Sequence, residues 1–321
     1  MQNSGKHNND QLIDQYLAGN RRALSKLITI IENHGNGMHS LWERIHPKIG
    51  QAFRIGVTGP PGAGKSTLVD QLSKQFRTHQ RTVGVIAVDP TSPFSGGALL
   101  GDRIRMSDLA TDSGVFIRSM ATRGSLGGLS RHAQEVADLY DGFGFDYIVY
   151  ETVGVGQSEL DIVQAADTTI VMLVPEAGDT IQAMKAGLME IADIFVINKA
   201  DRPGAERMEL EIQASLDLRA DSPGWRPPVI QIIASIGDGI DALSEAIDEH
   251  RRFQAENNLL EFRRKKRQSA YVQQLIQSHL LARFWQPDMV LRCEQAVQNN
   301  DCSPYEISQW LIREFFDENE S

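Results

Sequence analysis

Gly59-Pro60-Pro61-Gly62-Ala63-Gly64-Lys65-Ser66 decides how the rest of the chain is read. The spacing is G-x-x-x-x-G-K-S, the pattern of a phosphate-binding loop. An apolar run, 53–57, precedes it, and Thr67-Leu68-Val69 opens the helical pattern that follows. The glycines allow tight backbone geometry and close approach to phosphate. Backbone N–H groups of the loop and of the new helix supply donors, and the positive helix end adds to their field. Lys65 can reach the terminal phosphates, and the Ser66 hydroxyl can ligate magnesium.

Outward from the loop the pattern alternates between strand and helix. Strands are expected at 53–57, 83–88, 147–150, 168–174, 194–197 and 229–233, with a short one at 115–117. Helices are expected at 65–76, 129–140, 181–191, 205–218 and 240–250. The strands are continuous apolar runs, as when helices cover both faces of a sheet. The expected fold class is α/β: a P-loop NTPase with an open, mostly parallel sheet. Ligands of such sheets gather at the carboxyl ends of the strands.

Helical patterns flank this core. Leu12, Ile13, Tyr16 and Leu17, then Leu24, Leu27, Ile28 and Ile31, recur at helical spacing over 11–32, with a possible division at Gly19-Asn20. The start before residue 11 is polar and reads as disordered. After about residue 249, long helical stretches at 256–284, 288–298 and 305–316 carry a basic block at 263–267. Ser303-Pro304 reads as an N-cap and first helical residue. The expected organisation is an N-terminal helical extension at 1–48, the nucleotide domain at 49–250 and a helical region at 251–321. The last has too few helices for a large core of its own, which suggests packing on a second subunit, a homodimer.

The 321 residues are 41% hydrophobic, enough for a substantial core, and the formal net charge is -10. That balance argues against nucleic acid as a partner. Cys293 and Cys302 lack metal-ligand spacing and read as reduced thiols. No apolar run has transmembrane or signal-peptide character, so no membrane partner and a cytoplasmic location are expected.

Carboxylates and glycines follow several strand ends. Asp89 follows one strand, and Asp102 lies in the glycine-containing stretch beyond it. Both can hold magnesium directly or through water, and Asp102 can equally cap a helix. Glu151 ends another strand and leads into Thr152-Val153-Gly154-Val155-Gly156-Gln157. An acidic group there organises magnesium in phosphate-loop proteins. Gly154 can bring a backbone N–H toward the third phosphate, and Gln157 is a candidate for positioning water. Lys185 either sits on a helix surface or pairs with a carboxylate when nucleotide is bound.

Asn198-Lys199-Ala200-Asp201 is the second strong signal. The Asp201 carboxylate can accept hydrogens from N1 and the 2-amino group of guanine, a donor pair that adenine lacks. Asn198 can brace the loop or meet the base, and the Lys199 stem can cover the ring face. Ala234-Ser235, at the last strand end, can complete the base pocket with backbone donors.

Together these stretches resemble the MeaB/ArgK-like G-protein chaperones of adenosylcobalamin-dependent acyl-CoA mutases, the family that includes the human methylmalonic aciduria type A protein. Its most specific carriers are 88–106, Glu151-Thr152-Val153-Gly154-Val155-Gly156-Gln157-Ser158-Glu159, and Lys185-Ala186-Gly187-Leu188-Met189-Glu190-Ile191-Ala192-Asp193. The resemblance implies a homodimeric GTPase with a SIMIBI-type G domain, a helical N-terminal extension and a C-terminal dimerisation arm. It implies a phosphate cradle of Gly59, Pro60, Pro61, Gly62, Ala63, Gly64, Lys65, Ser66 and Thr67 for GTP or GDP. Ser66, Asp89, Asp102 and Glu151 match magnesium-site positions, and Asn198, Lys199 and Asp201 match guanine-reading ones. The segment 178–185 matches a third switch coupled to the mutase. The implied work is gating of adenosylcobalamin delivery to the mutase, and protection of it; the cobalamin is met only through that partner.

The sequence departs from the family pattern at Ala234-Ser235, where relatives often carry Ser-Ala, and at Pro175-Glu176. Three other readings stay open: a GTPase for nickel or other metallocentre maturation, a small-molecule kinase, and a structural dimer that keeps nucleotide as a stabiliser. The first calls for a histidine or cysteine cluster, and the eight histidines are scattered along the chain.

Overall fold

A computed structural model of the chain describes residues 2–33, 39–89, 109–121, 131–152, 162, 164–175, 188–218, 224–299 and 302–319. They fall into two compact units, Met1–Glu261 and Phe262–Ser321.

The first unit is built on a seven-stranded sheet. Its strands are β1 (Phe53–Thr58), β2 (Val83–Asp89), β3 (Val115–Ala121), β4 (Tyr147–Thr152), β5 (Thr168–Leu173), β6 (Ile194–Asn198) and β7 (Val229–Ile232). The spatial order is β3-β2-β4-β1-β5-β6-β7. Every neighbouring pair is parallel, so all seven carboxyl ends lie along one edge. Where "mostly parallel" was expected, the sheet is parallel throughout.

Alternation along the strands divides the core. On β5, Ile170 and Met172 join one cluster, while Val171 and Leu173 join the cluster on the opposite face. The Ile170 face packs on α4 (Lys65–Thr78) and α7 (Ile240–Glu256) through Leu68, Val69, Leu72, Leu243 and Ile247. On the other face, α6 (Ala205–Asp217) supplies Met208 and Ile212.

α5 (Arg131–Phe143) and three N-terminal helices share a further cluster with Ile86, Val88, Ile148 and Tyr150. Those helices are α1 (Gln2–Leu17), α2 (Arg21–Glu32) and α3 (His39–Ile45). The division at Gly19-Asn20 is real: the Asn20 side chain accepts from the N–H groups of Arg22 and Ala23 and caps α2. α1 begins at Gln2, far earlier than the disordered start expected from the polar sequence. Each residue added to a formed turn gains a hydrogen bond, so an anchored helix can extend into polar sequence. Its anchors are Ile13 and Tyr16, both buried, and the Tyr16 hydroxyl donates to Leu139 O at 2.7 Å. α3 was not expected; Leu41 and Ile45, one turn apart, bury its inner face.

β3 runs to Ala121 rather than stopping at 117. It is an edge strand, and α2 supplies partners along it. Arg118 pairs with Glu32, while Arg21 donates to the carbonyls of Ser113 and Val115 and lies over the Phe116 ring. Of the helix expected over 181–191, residues 188–191 lie among the described residues, and Met189–Ile191 is helical.

The second unit contains most of α8 (Leu259–Phe284), with α9 (Pro287–Asn299) and α10 (Pro304–Asn319). Ser303 caps α10 reciprocally: Glu306 N–H donates to Ser303 Oγ at 3.3 Å, and Ser303 N–H donates to Glu306 Oε2 at 2.8 Å. Met289, Ile307 and Leu311 form a small core with Phe284 and Phe315.

Candidate functional site

The loop 59–64 leaves β1 at the carboxyl edge and enters α4 at Lys65. Two glycines are required there. A Cβ on Gly59, at φ 141°, would stand 2.1 Å from Met172 O on β5. One on Gly64, at φ 95°, would stand 2.5 Å from Asn198 Nδ2. Gly64 stands at the N-cap of α4 and makes no side-chain cap bond to the N–H groups of the first turn. That arrangement suits an anion.

Lys65 is buried, and its Nζ donates to Gly59 O at 2.8 Å and Pro60 O at 3.0 Å. The ammonium is thus folded onto the loop that it would leave to meet a phosphate. In the next position, Ser66 Oγ donates to Glu151 Oε1 at 2.5 Å. Glu151 is buried on β4, in register with Val57 on β1 and Ala87 on β2. Strand order therefore sets a carboxylate beside the first turn of α4. A hydroxyl and a carboxylate together form an all-oxygen donor pair, the kind magnesium takes. Behind them, Thr152 Oγ1 donates to Thr58 Oγ1 at 3.2 Å, joining the ends of β4 and β1.

Asn198 closes β6 and links three loops. Its Nδ2 donates to Ala63 O at 2.7 Å, and its Oδ1 accepts from Ala234 N–H at 3.0 Å. Of the two options read from sequence, bracing is the one this geometry displays. Ala200 N–H donates to Ile232 O at 3.1 Å, and Lys199 takes a left-handed φ of 60°. Asp201 and Ser235 are exposed, whereas Ala234 is buried. The phosphate loop, the 198–201 turn and the 233–239 loop are thus fastened together at one edge.

Asp89 ends β2 on this edge, opposite Ala121 in register. Asp102, Gly154, Gln157 and Lys185 lie outside the described residues. Sequence reasoning missed the Thr58–Thr152 pair and the Met172 carbonyl. Neither carries a local signal, because both depend on β1 lying between β4 and β5.

The chain matches the family model of the methylmalonyl-CoA mutase-associated GTPase MeaB over residues 24–288. It belongs to the MeaB family. It is 46% identical over 313 residues to a protein of Pyrococcus abyssi named as a candidate GTPase, covering 95% of this chain and 96% of that one. It is 34% identical over 328 residues to the mitochondrial methylmalonic aciduria type A homolog of Mus musculus, covering 95% of this chain and 79% of that one. The crystal structure of a LAO/AO transport system kinase superposes with a TM-score of 0.71 at 28% identity, covering 97% of this chain and 98% of that one. As a MeaB-family member the chain is a GTPase that takes guanine nucleotide, on a P-loop α/β fold. Among the described residues, no helix is long and apolar enough to cross a membrane.

Proposed function

We propose that GTP binding and hydrolysis at the carboxyl edge gate adenosylcobalamin delivery to an acyl-CoA mutase, such as methylmalonyl-CoA mutase, and protect that mutase. The observation that carries the reading is the fastening of phosphate loop and base-reading turn through Asn198 in a MeaB-family chain. A nucleotide held by one frame at both ends can report its phosphate state to segments that leave the same edge.

The reaction is GTP plus water giving GDP plus phosphate. Lys65 and the N–H groups of the non-proline residues of 59–67 hold the phosphates. The Asp201 carboxylate reads N1 and the 2-amino group, with Lys199 over the ring and Ala234-Ser235 beside the base. Ser66 and Glu151, with Asp89 and Asp102, would hold magnesium. Bound there, magnesium supplies charge neutralisation at the phosphoryl oxygens. Gln157 positions water, Gly154 senses the third phosphate and Lys185 answers to nucleotide. Differences in binding energy between the GTP and GDP states drive the gate, since a ligand shifts an equilibrium only by its differential affinity.

The same proposal includes a homodimer, a cytoplasmic setting and the division at 1–48, 49–250 and 251–321. On α8, Val272, Ile276 and Leu280 recur every four residues and are each about half exposed, a stripe suited to a second copy.

Phosphate release from GTP, measured alone and with methylmalonyl-CoA mutase, tests the proposal. It predicts slow turnover alone and faster turnover with the mutase. Equal rates would contradict it. Label passing from GTP to a small metabolite would instead support a kinase, the activity named for the LAO/AO relative.

A further inference from the structure

The amino-terminal edge of the sheet, opposite the nucleotide edge, carries a polar recess of about 170 Å³. Its lining includes Gln51 before β1, Arg81 before β2, Phe145 and Asp146 before β4, Tyr147 at the start of β4, and Arg251 late in α7. Pockets for drug-sized ligands run to about 300–1,000 Å³, so the space suits a small group.

Two guanidinium groups meet one carboxylate here. Asp146 is already engaged: Oδ2 accepts from Thr82 N–H and Thr82 Oγ1, both at 2.8 Å, and Oδ1 faces Arg81 at 3.2 Å. Burial opposes its charge, but the Thr82 N–H and hydroxyl, and then Arg81, hold its carboxyl below the usual range. It is therefore a fixed negative charge at neutral pH. Arg251 is held differently. Its guanidinium lies 5.1 Å from the Phe53 ring centroid, and its charge acts on the Tyr147 hydroxyl. Burial, first, and then Asp248 raise the Tyr147 phenol, so it stays neutral. The Phe53 face holds the Arg251 guanidinium without cancelling its charge. Among the lining residues the two guanidiniums, Arg81 and Arg251, outnumber the one carboxylate, Asp146, while Asp248 adds a second negative charge near Tyr147.

We propose that this recess is a second, nucleotide-independent site for a small oxyanion, a phosphate or carboxylate group, held by Arg251 and Arg81 with Gln51 at the rim. A guanidinium fork matches either oxyanion bidentately. The ligand is chemically small whether it arrives as free phosphate, as a phosphate ester or as an organic acid.

The test uses the full-length protein saturated with GDP, so that the phosphate loop is filled. Inorganic phosphate and malonate are titrated separately at constant ionic strength and followed by calorimetry. Binding of at least one probe is expected, weakened tenfold or more by Arg251→Gln and by Arg81→Gln. Gln51→Glu, which adds a negative charge at the rim while leaving both arginines, should weaken it similarly. Arg207→Gln, at an exposed position of α6, should leave it unchanged. Preference for phosphate would assign a phosphate-bearing ligand, and preference for malonate an organic acid. Absence of binding, or binding that survives both arginine substitutions, would overturn the proposal; survival would place the anion beside the GDP instead.

Discussion

The two edges of the sheet use charge in opposite ways. At the amino edge, charge is spent on internal pairs. Arg54, buried on β1, donates to Asp138 at 2.6 Å and approaches Asp141 at 3.5 Å. Asp141 also accepts from the N–H groups of Gly50, Gln51 and Ala52. Nearby, His250 meets Thr168 Oγ1 at 2.9 Å and Asp193 at 3.3 Å. At the carboxyl edge, Lys65 rests on two loop carbonyls and Asp201 is exposed. One edge holds the fold together, and the other keeps its charges where a ligand can recruit them. The recess beside Arg251 interrupts that division, which is why it stands out.

The largest expected effect falls at the amino edge. Arg54→Ala removes the buried cation from partly buried Asp138 and from Asp141, which keeps its three backbone donors, and breaking a buried pair costs about 3–5 kcal/mol. Denaturant unfolding should show that loss, while GTP affinity of the folded protein stays the same. A variant with wild-type stability would break the comparison. Lys65→Ala should do the reverse. Removing one preorganised charge-stabilising donor slows a reaction by about 10²–10³-fold, so phosphate release should fall by that order with the unfolding midpoint nearly unchanged.

The smallest effect is acid-dependent. Asp112, before β3, is held below the usual carboxylate range by the Arg77 side chain first and the Gly114 N–H second. A depressed carboxyl contributes stability fully above its unfolded pKa and loses it as pH falls through its lower folded value. Arg77→Gln should therefore shrink the stability lost between neutral pH and pH 3. An unchanged acid limb would remove Asp112 from the amino-edge account.

Motifs bound to local geometry were readable in the sequence. Gly59, Gly64 and Lys65 announce a strand-to-helix turn because their spacing lies within eight residues. The apolar runs of β5 and β6 announced buried strands. Features that depend on distant partners were not readable. Arg54 sits inside a strand because Asp138 and Asp141, more than eighty positions later, return beside it on α5. The polar end of β3 looked like a strand end because its ion-pair partner, Glu32, lies on α2. α3 offers Leu41, Trp42 and Ile45 in only seven residues, too short a stretch to establish a period. At the candidate site, the residue types were legible, but the Ser66–Glu151 and Asn198–Ala63 contacts required the strand order.

The most direct test of the carboxyl edge as a guanine site is competitive nucleotide binding by the wild-type chain and by Asp201→Asn. Xanthine carries a carbonyl where guanine carries its 2-amino group, so an amide at 201 complements it. The account predicts that wild type prefers GTP over ATP and xanthosine triphosphate. It predicts that Asp201→Asn loses about 10–100-fold in GTP affinity, the worth of a charge-assisted hydrogen bond, and prefers xanthosine triphosphate. Equal wild-type affinity for GTP and ATP, or unaltered GTP affinity in the variant, would contradict it.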